Sequence, residues 1–480
     1  MQFNSYIFIL ALFPVTVLLY YIANKINITA GKIILMATSL VFYVYGGIKM
    51  SLILAISLLI NYVLVYDIKA IRKARRAILF IDIVVNIAFL LYYKYLGFFI
   101  RTYNDVSGQS LGIPNLIMPL GISFFTFQQI MYVVSVYKGD IEDINIIDYL
   151  TFVLYFPKIV SGPLADPAKM IADFNNPELK RPDLSTIMDG IIIFSFGLFK
   201  KLILADGFAR AVNFGFANDQ WIHGFDVMLT MLFYTFQIYF DFSGYSDMAY
   251  GASKILNIEL PMNFDSPYKA IDIRDFWKRW HMSLTGFFTK YIYIPLGGSK
   301  RGVARTYINT MIVFLVSGIW HGANFTFILW GVLHGALSIY DRLTDKMHKK
   351  RPKVVGWLFT FIAVNFLWLL FRADSITQWV QYIGKMADFS VMNLNPDFVL
   401  TFVTPEVGFL AHILGVEKDF AGLIAMAVMT VFALFICLVP KNNMRTFGKK
   451  NLGKTVLAAF AFGFSFLALS SESIFVYFNF

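Results

Sequence analysis

The feature that most constrains this chain is the recurrence of apolar stretches about as long as a bilayer is thick. A hydrocarbon core of about 30 Å is crossed by about 20 apolar residues in a helix. Such stretches occur near 5–23, 32–47, 50–66, 77–100, 117–137, 186–206, 225–251, 306–322, 323–341, 355–373, 421–439 and 455–473. Composition agrees, with 58% hydrophobic and only 15% charged residues in 480, where soluble domains carry roughly a quarter charged. The surplus apolar surface must face lipid. The sequence therefore predicts an all-α, polytopic integral membrane protein with about eleven to twelve transmembrane helices. It reads as one transmembrane domain over 1–480, without internal repeat, low-complexity tract or soluble domain.

Two further apolar stretches, 147–163 and 283–297, contain Pro157, Pro163 and Pro295 and have basic neighbours. They predict broken or re-entrant helices, because proline removes a ladder hydrogen bond and irregular backbone at membrane depth must line protein or water. The first apolar run has no cation before Lys25. It therefore lacks the charged segment of a secretory signal and is expected to remain as the first span, amino end outward.

Loop charges support that orientation. Lys69, Arg72, Lys73, Arg75 and Arg76 form one basic loop; Arg342, Lys346, Lys349, Lys350, Arg351 and Lys353 form a second; Lys441, Arg445, Lys449, Lys450 and Lys454 form a third. Cations concentrate on the cytoplasmic side of membrane proteins, so all three loops are expected there. The long, less basic segment 374–420 then falls outside, where it can meet a partner. Because the net charge of +11 is spread over these loops, it argues against a nucleic-acid-binding face. The single Cys437 excludes an internal disulfide and a cysteine metal cluster. No histidine pair falls at i, i+4 and no HExxH occurs, so no metal is assigned.

Function has to reside in polar residues that a membrane should have excluded, since each costs a few kcal/mol near the bilayer centre unless paired or hydrated. Three stretches stand out: YFDFSGYSDMAYG at 239–251, RDFWKRWHMSLTGFFTKYIYIPLGGSKRG at 274–302, and FLVSGIWHGANFTFILWGVLHGALSIYDR at 314–342. In the last, His321 lies between Trp320 and Gly322 in an apolar run, where a histidine serves as neutral base or as packing residue. Ser317 and Asn324, four before and three after, are spaced to orient its ring on a helix. His334 follows thirteen residues later. On an unbroken helix that is about 20 Å of rise and off the first histidine's face, so both act on one bond only if the helix breaks, for which Gly322 and Asn324 are the candidates. His334 is expected in a supporting or packing role, through Ser338 one turn away.

The middle stretch interleaves Arg274, Lys278, Arg279, Lys290, Lys300 and Arg301 with Trp277, Trp280 and His281. Such cations serve either as topology anchors or as a funnel for a phosphate-bearing donor, with aromatic rings to stack its base. In the first stretch Asp241 and Asp247 predict a structural clamp with a cation, Arg274 or Lys278 being candidates; a proton pathway is the alternative.

These three stretches together resemble the membrane-bound O-acyltransferase family, in its bacterial branch of alginate and peptidoglycan O-acetyltransferase membrane subunits. DFSGYSDMAYG, FWKRWHMSLTGFFTKYIYIPLGGSKRG and GIWHGANFTFILWGVLHG carry the resemblance. It implies many helices around a central tunnel, with His321 catalytic and His281 as the second polar position. It implies no resident cofactor, but an acyl thioester donor such as acetyl-CoA arriving from the cytosol. An extracytoplasmic acyltransferase partner of the SGNH type and a polysaccharide acceptor are also implied, in a bacterial inner membrane.

The residues fit that chemistry independently, because acyl transfer to a hydroxyl needs a base near the attacking oxygen and histidine suits it. No GxSxG elbow points to a serine nucleophile. Two alternatives stay open: D-alanyl transfer to teichoic acid from a carrier protein, and a proton-coupled transporter using Asp241, Asp247 and His321. A transporter should show paired broken helices in two halves, and the sequence has no such symmetry.

Overall fold

The computed structural model describes residues 1–345, 351–390, 393–446, 448, 451–470 and 475. Among these only helices, turns and connecting segments occur. Each expected apolar segment falls on a helix. Six helices are long and apolar enough to cross a membrane: Phe8–Ile26, Ile48–Ala70, Arg75–Ser107, Val303–His321, Lys353–Arg372 and Lys418–Leu438. Others on predicted segments are shorter, as in Ile28–Val44 and Leu452–Leu467, or carry more polar residues, as in Gly224–Ile255. Lys346, Lys349, Lys350, Lys449, Lys450 and 471–473 of the last predicted segment lie outside the described residues.

The fold is thus all-helical and polytopic, and the chain divides into two compact units. The first comprises 1–197, 245–262 and 447–479. Several polar side chains buried among its helices are paired. Lys32 meets Asp148 at 2.5 Å. Ser57 and Asn61 both donate to Oε1 of Gln129 at 3.0 Å, and Asn86 donates to Asn61 and Asp82. Such pairing is what lets polar groups persist at membrane depth. The predicted break at 147–163 is present: the Ile146–Leu154 helix stops before Tyr155, and turns run through the Pro157 region.

The second unit comprises 198–244, 263–446 and residue 480. Its centre is a hairpin of the Val303–His321 and Phe325–Leu343 helices. Gly318 and Gly331 bring these helices together: a Cβ on Gly318 would overlap the carbonyl oxygen of Phe327, and one on Gly331 that of Phe314. Small residues permit such backbone approach within membranes. The predicted irregular stretch is also present, as the short helix Met282–Phe288, a wider turn at Thr289–Tyr293, and left-handed Gly297 and Gly298. The segment 374–420 is not a plain loop; it contains the helices Ile376–Met386, Pro396–Leu400 and Pro405–Leu414. Tyr382 anchors the first of these by donating to the carbonyl of Gly215 at 2.9 Å.

Candidate active site

His321 is the last residue of its helix. Gly322 is extended and would clash with the Phe327 ring if it bore a Cβ, and Asn324 begins the next helix by accepting from the Thr326 N–H. Asn324 therefore is not one helical turn from His321, as an unbroken helix predicts. Its side chain caps, and its amide donates to the Asp374 carbonyl at 2.8 Å. Ser317 does share the His321 helix and is buried.

The break also changes the relation between the histidines. Trp330 lies between His321 and His334, with ring centroids 5.2 and 4.6 Å away. Trp320 links His321 to His281 at 4.9 and 6.4 Å. Three histidines and two tryptophans thus form one run of rings. All three histidines are buried. Phe371 completes the wall at 5.2 Å from His321. His321 stands about 27 Å of helical rise from Val303, whereas His334 falls near the middle of its own helix.

His281 joins two short helices, Ile273–Arg279 and Met282–Phe288, and its backbone is left-handed with φ 45°. A non-glycine residue in that region is strained and needs support. Asn263 supplies it. Its carbonyl accepts from the Met282 N–H at 2.9 Å, and its side-chain oxygen accepts from the Ser283 hydroxyl at 2.6 Å. The His281 ring packs edge-on against Phe242 at 4.7 Å. Asp272 caps the Ile273–Arg279 helix by accepting from the Asp275 N–H, and Asp341 accepts from the Ile273 N–H at 2.7 Å, tying this helix to the hairpin.

A cavity of about 390 Å³ adjoins these elements. Arg274, Lys278 and Arg342 supply its charge, Ser317 and Ser338 its hydroxyls, and Trp277, Phe288 and Phe314 aromatic walls. Two predicted donor-binding residues do not line it. Arg279 is held by Asp275 at 2.8 Å, and Trp280 is buried among Phe264, Phe276 and Trp368, the last at 4.7 Å. Trp277 takes the wall position instead. Its indole N–H donates to Nδ1 of His334, so His334 is supported by Trp277 and not by Ser338. Arg274 is paired with Asp345 at 2.5 Å.

The predicted clamp at Asp241 exists with a different cation. Lys201 bonds Asp241 at 2.7 Å and Asp206 at 2.9 Å, with Lys201 and Asp241 almost fully buried. Neither Arg274 nor Lys278 takes that part. Lys200 and Lys201 inside the apolar segment 186–206 were the signal for it. Asp247 is buried and belongs to the first unit. Sequence reasoning gave no signal for Asn263 or Trp330. No group of three or more metal-ligating side chains occurs among the described residues.

His281, His321 and His334 do not line this cavity; Ser317, one helical turn before His321, does. A buried histidine at a helix break, one turn from a residue of a cation-lined cavity, is an arrangement that suits acyl transfer to a hydroxyl. The chain is 34% identical to the peptidoglycan O-acetyltransferase of Helicobacter pylori, over 100% of this chain and 97% of that protein. It is 34% identical to a probable alginate O-acetylase of Pseudomonas putida, over 82% of each. A teichoic acid D-alanyltransferase of Bacillus subtilis is 30% identical over 49% of this chain and 62% of its own length. The family model for membrane-bound O-acyltransferases matches residues 116–376, which include His281, His321, His334 and the cavity. The chain belongs to the membrane-bound O-acyltransferase family.

Proposed function

We propose that this protein takes an acetyl group from a cytosolic thioester, acetyl-CoA, for O-acetylation of an extracytoplasmic polysaccharide of the peptidoglycan or alginate kind. The observation that carries the reading is His321 at the hairpin break, one tryptophan ring from His281 on one side and from His334 on the other. The cation-lined cavity supports a phosphate-bearing donor. Arg274, Lys278 and Arg342 would hold the phosphates, since charge-assisted bonds to phosphate are strong and specific.

In the proposed reaction His321 takes the proton from the acceptor hydroxyl as its oxygen bonds to the thioester carbonyl carbon. The carbon–sulfur bond then breaks, and the proton passes from His321 to the leaving thiolate. His281 is the second polar group of the site, held by its strained turn. Asp241 is committed to Lys201, which weighs against a proton relay through it. A separate extracytoplasmic acyltransferase of the SGNH type would complete delivery to the polymer, and the segment 374–420 is the surface we assign to it. The amino terminus would then face outward in a bacterial inner membrane.

Likeness to the O-acetylases extends over most or all of the chain, whereas likeness to the D-alanyltransferase covers half. That favours an acetyl donor over a D-alanyl carrier. Purified protein incubated with radiolabelled acetyl-CoA tests the reading directly. Release of free CoA with label transferred to an acceptor hydroxyl is expected. Activity with D-alanyl carrier protein alone would reassign the donor, and activity with neither would remove the proposal.

A further inference from the structure

A second group of cations lies in the first unit, apart from every residue of the acyl-transfer proposal. Lys69 lies in the last turn of the Ile48–Ala70 helix, Arg72 follows in the connection, Arg75 opens the Arg75–Leu90 helix, and Lys138 ends the Ile122–Lys138 helix. All four line one cavity of about 670 Å³, in which Glu142 is the sole carboxylate. Cations that merely fix topology extend separately into water. These converge on a concave surface.

Two details make the cavity an anion site instead of a crowd of like charges. Arg75 is held in place, because its guanidinium donates to the Tyr137 carbonyl and lies 4.4 Å over the Tyr137 ring. The helix it opens has no side-chain cap, since Ala74 precedes it. Its first N–H groups and the positive end of its dipole therefore add to the same attraction for negative charge. Depth selects the ligand. The cavity sits where the Ile48–Ala70 helix ends and the Arg75–Ser107 helix begins, both long and apolar enough to cross a membrane, which puts it at the headgroup level of a bilayer; Ile68, Val136 and Ile141 add apolar lining.

We propose that this cavity binds the phosphate headgroup of an anionic phospholipid. Basic pockets between helices at a cytoplasmic face attract such headgroups, each cation contributing about 1 kcal/mol, or about fivefold in affinity. Zwitterionic lipids, whose choline would meet four cations, are disfavoured.

Native mass spectrometry of the full-length protein in neutral detergent tests this. The added ligands are phosphatidylglycerol, cardiolipin, phosphatidylcholine and, as a soluble phosphate, glycerol 3-phosphate. Retention of the anionic lipids over phosphatidylcholine is expected, with little glycerol 3-phosphate bound. In an Arg72→Gln, Lys138→Gln variant the preference should fall about 25-fold, following the fivefold contribution of each cation. Both side chains are exposed, so folding is not at stake. Equal retention of phosphatidylcholine, or an unchanged preference in the variant, would overturn the proposal. Glycerol 3-phosphate bound as tightly as lipid would show a soluble-phosphate site and would also overturn it.

Discussion

The indole N–H of Trp277 donates to Nδ1 of His334 at 3.2 Å, and the two rings stand nearly perpendicular. A neutral His334 so held carries its proton on Nε2, with Nδ1 occupied as acceptor. Trp277→Phe keeps most of the packing and removes the donor. The expected loss is about 1 kcal/mol of stability, that of one buried hydrogen bond, read as a lowered unfolding midpoint in detergent. An unchanged midpoint would mean the bond contributes nothing.

His321→Ala should abolish measurable acyl transfer while the protein still inserts and elutes as a monodisperse peak, since losing a general base costs about 10²–10⁴-fold in rate. His281→Ala should cost less, and His334→Ala least. Label transfer from acetyl-CoA gives the order. Wild-type activity in His321→Ala would remove His321 from catalysis, and a reversed order would reassign the base.

Asp241→Ala removes the more deeply buried of the two carboxylates that pair with Lys201. Breaking a buried pair from one side costs about 3–5 kcal/mol, so poor insertion or a sharply lower midpoint is expected. Asp241→Leu combined with Lys201→Met removes both charges and should recover much of that loss. No recovery would show that the pair does more than neutralise charge.

Lys278 lines the cavity and Arg279 does not. Lys278→Ala should therefore raise the apparent KM for donor several-fold at low salt. The difference should shrink as salt approaches about 1 M, where the screening length is about 3 Å. Arg279→Ala should affect stability through Asp275 and leave donor affinity nearly unchanged. Equal affinity in wild type and Lys278→Ala at low salt would reduce Lys278 to a topology anchor.

Much of this was legible in the sequence because lipid imposes a simple rule. Apolar runs of fixed length become helices: the predicted segments fall on helices, six of them long and apolar enough to cross a membrane. The prolines at 157, 163 and 295 also marked the irregular segments, since a missing N–H interrupts any helix. Pairing was harder to read. The carboxylate of Asp241 demanded a cation, but its partner lies forty residues away on a segment counted only as apolar. Trp277 and Trp280 differ by three positions, and periodicity gives no reason why one faces the cavity and the other the core. Gly322 and Asn324 mark the break between the two histidines in the sequence, but not its consequence: the extended Gly322 folds the second arm back, so that Trp330 touches both rings.

The tight meeting of Gly318 and Gly331 has a bearing on redesign. The two arms of the hairpin meet backbone to backbone, so neither can yield space without parting from the other and shifting His321 against His334. Accommodating a bulkier acyl group would therefore have to come from trimming ring walls such as Phe288 or Phe314, not from loosening the hairpin. Enlarging either glycine should spoil alignment before it widens anything.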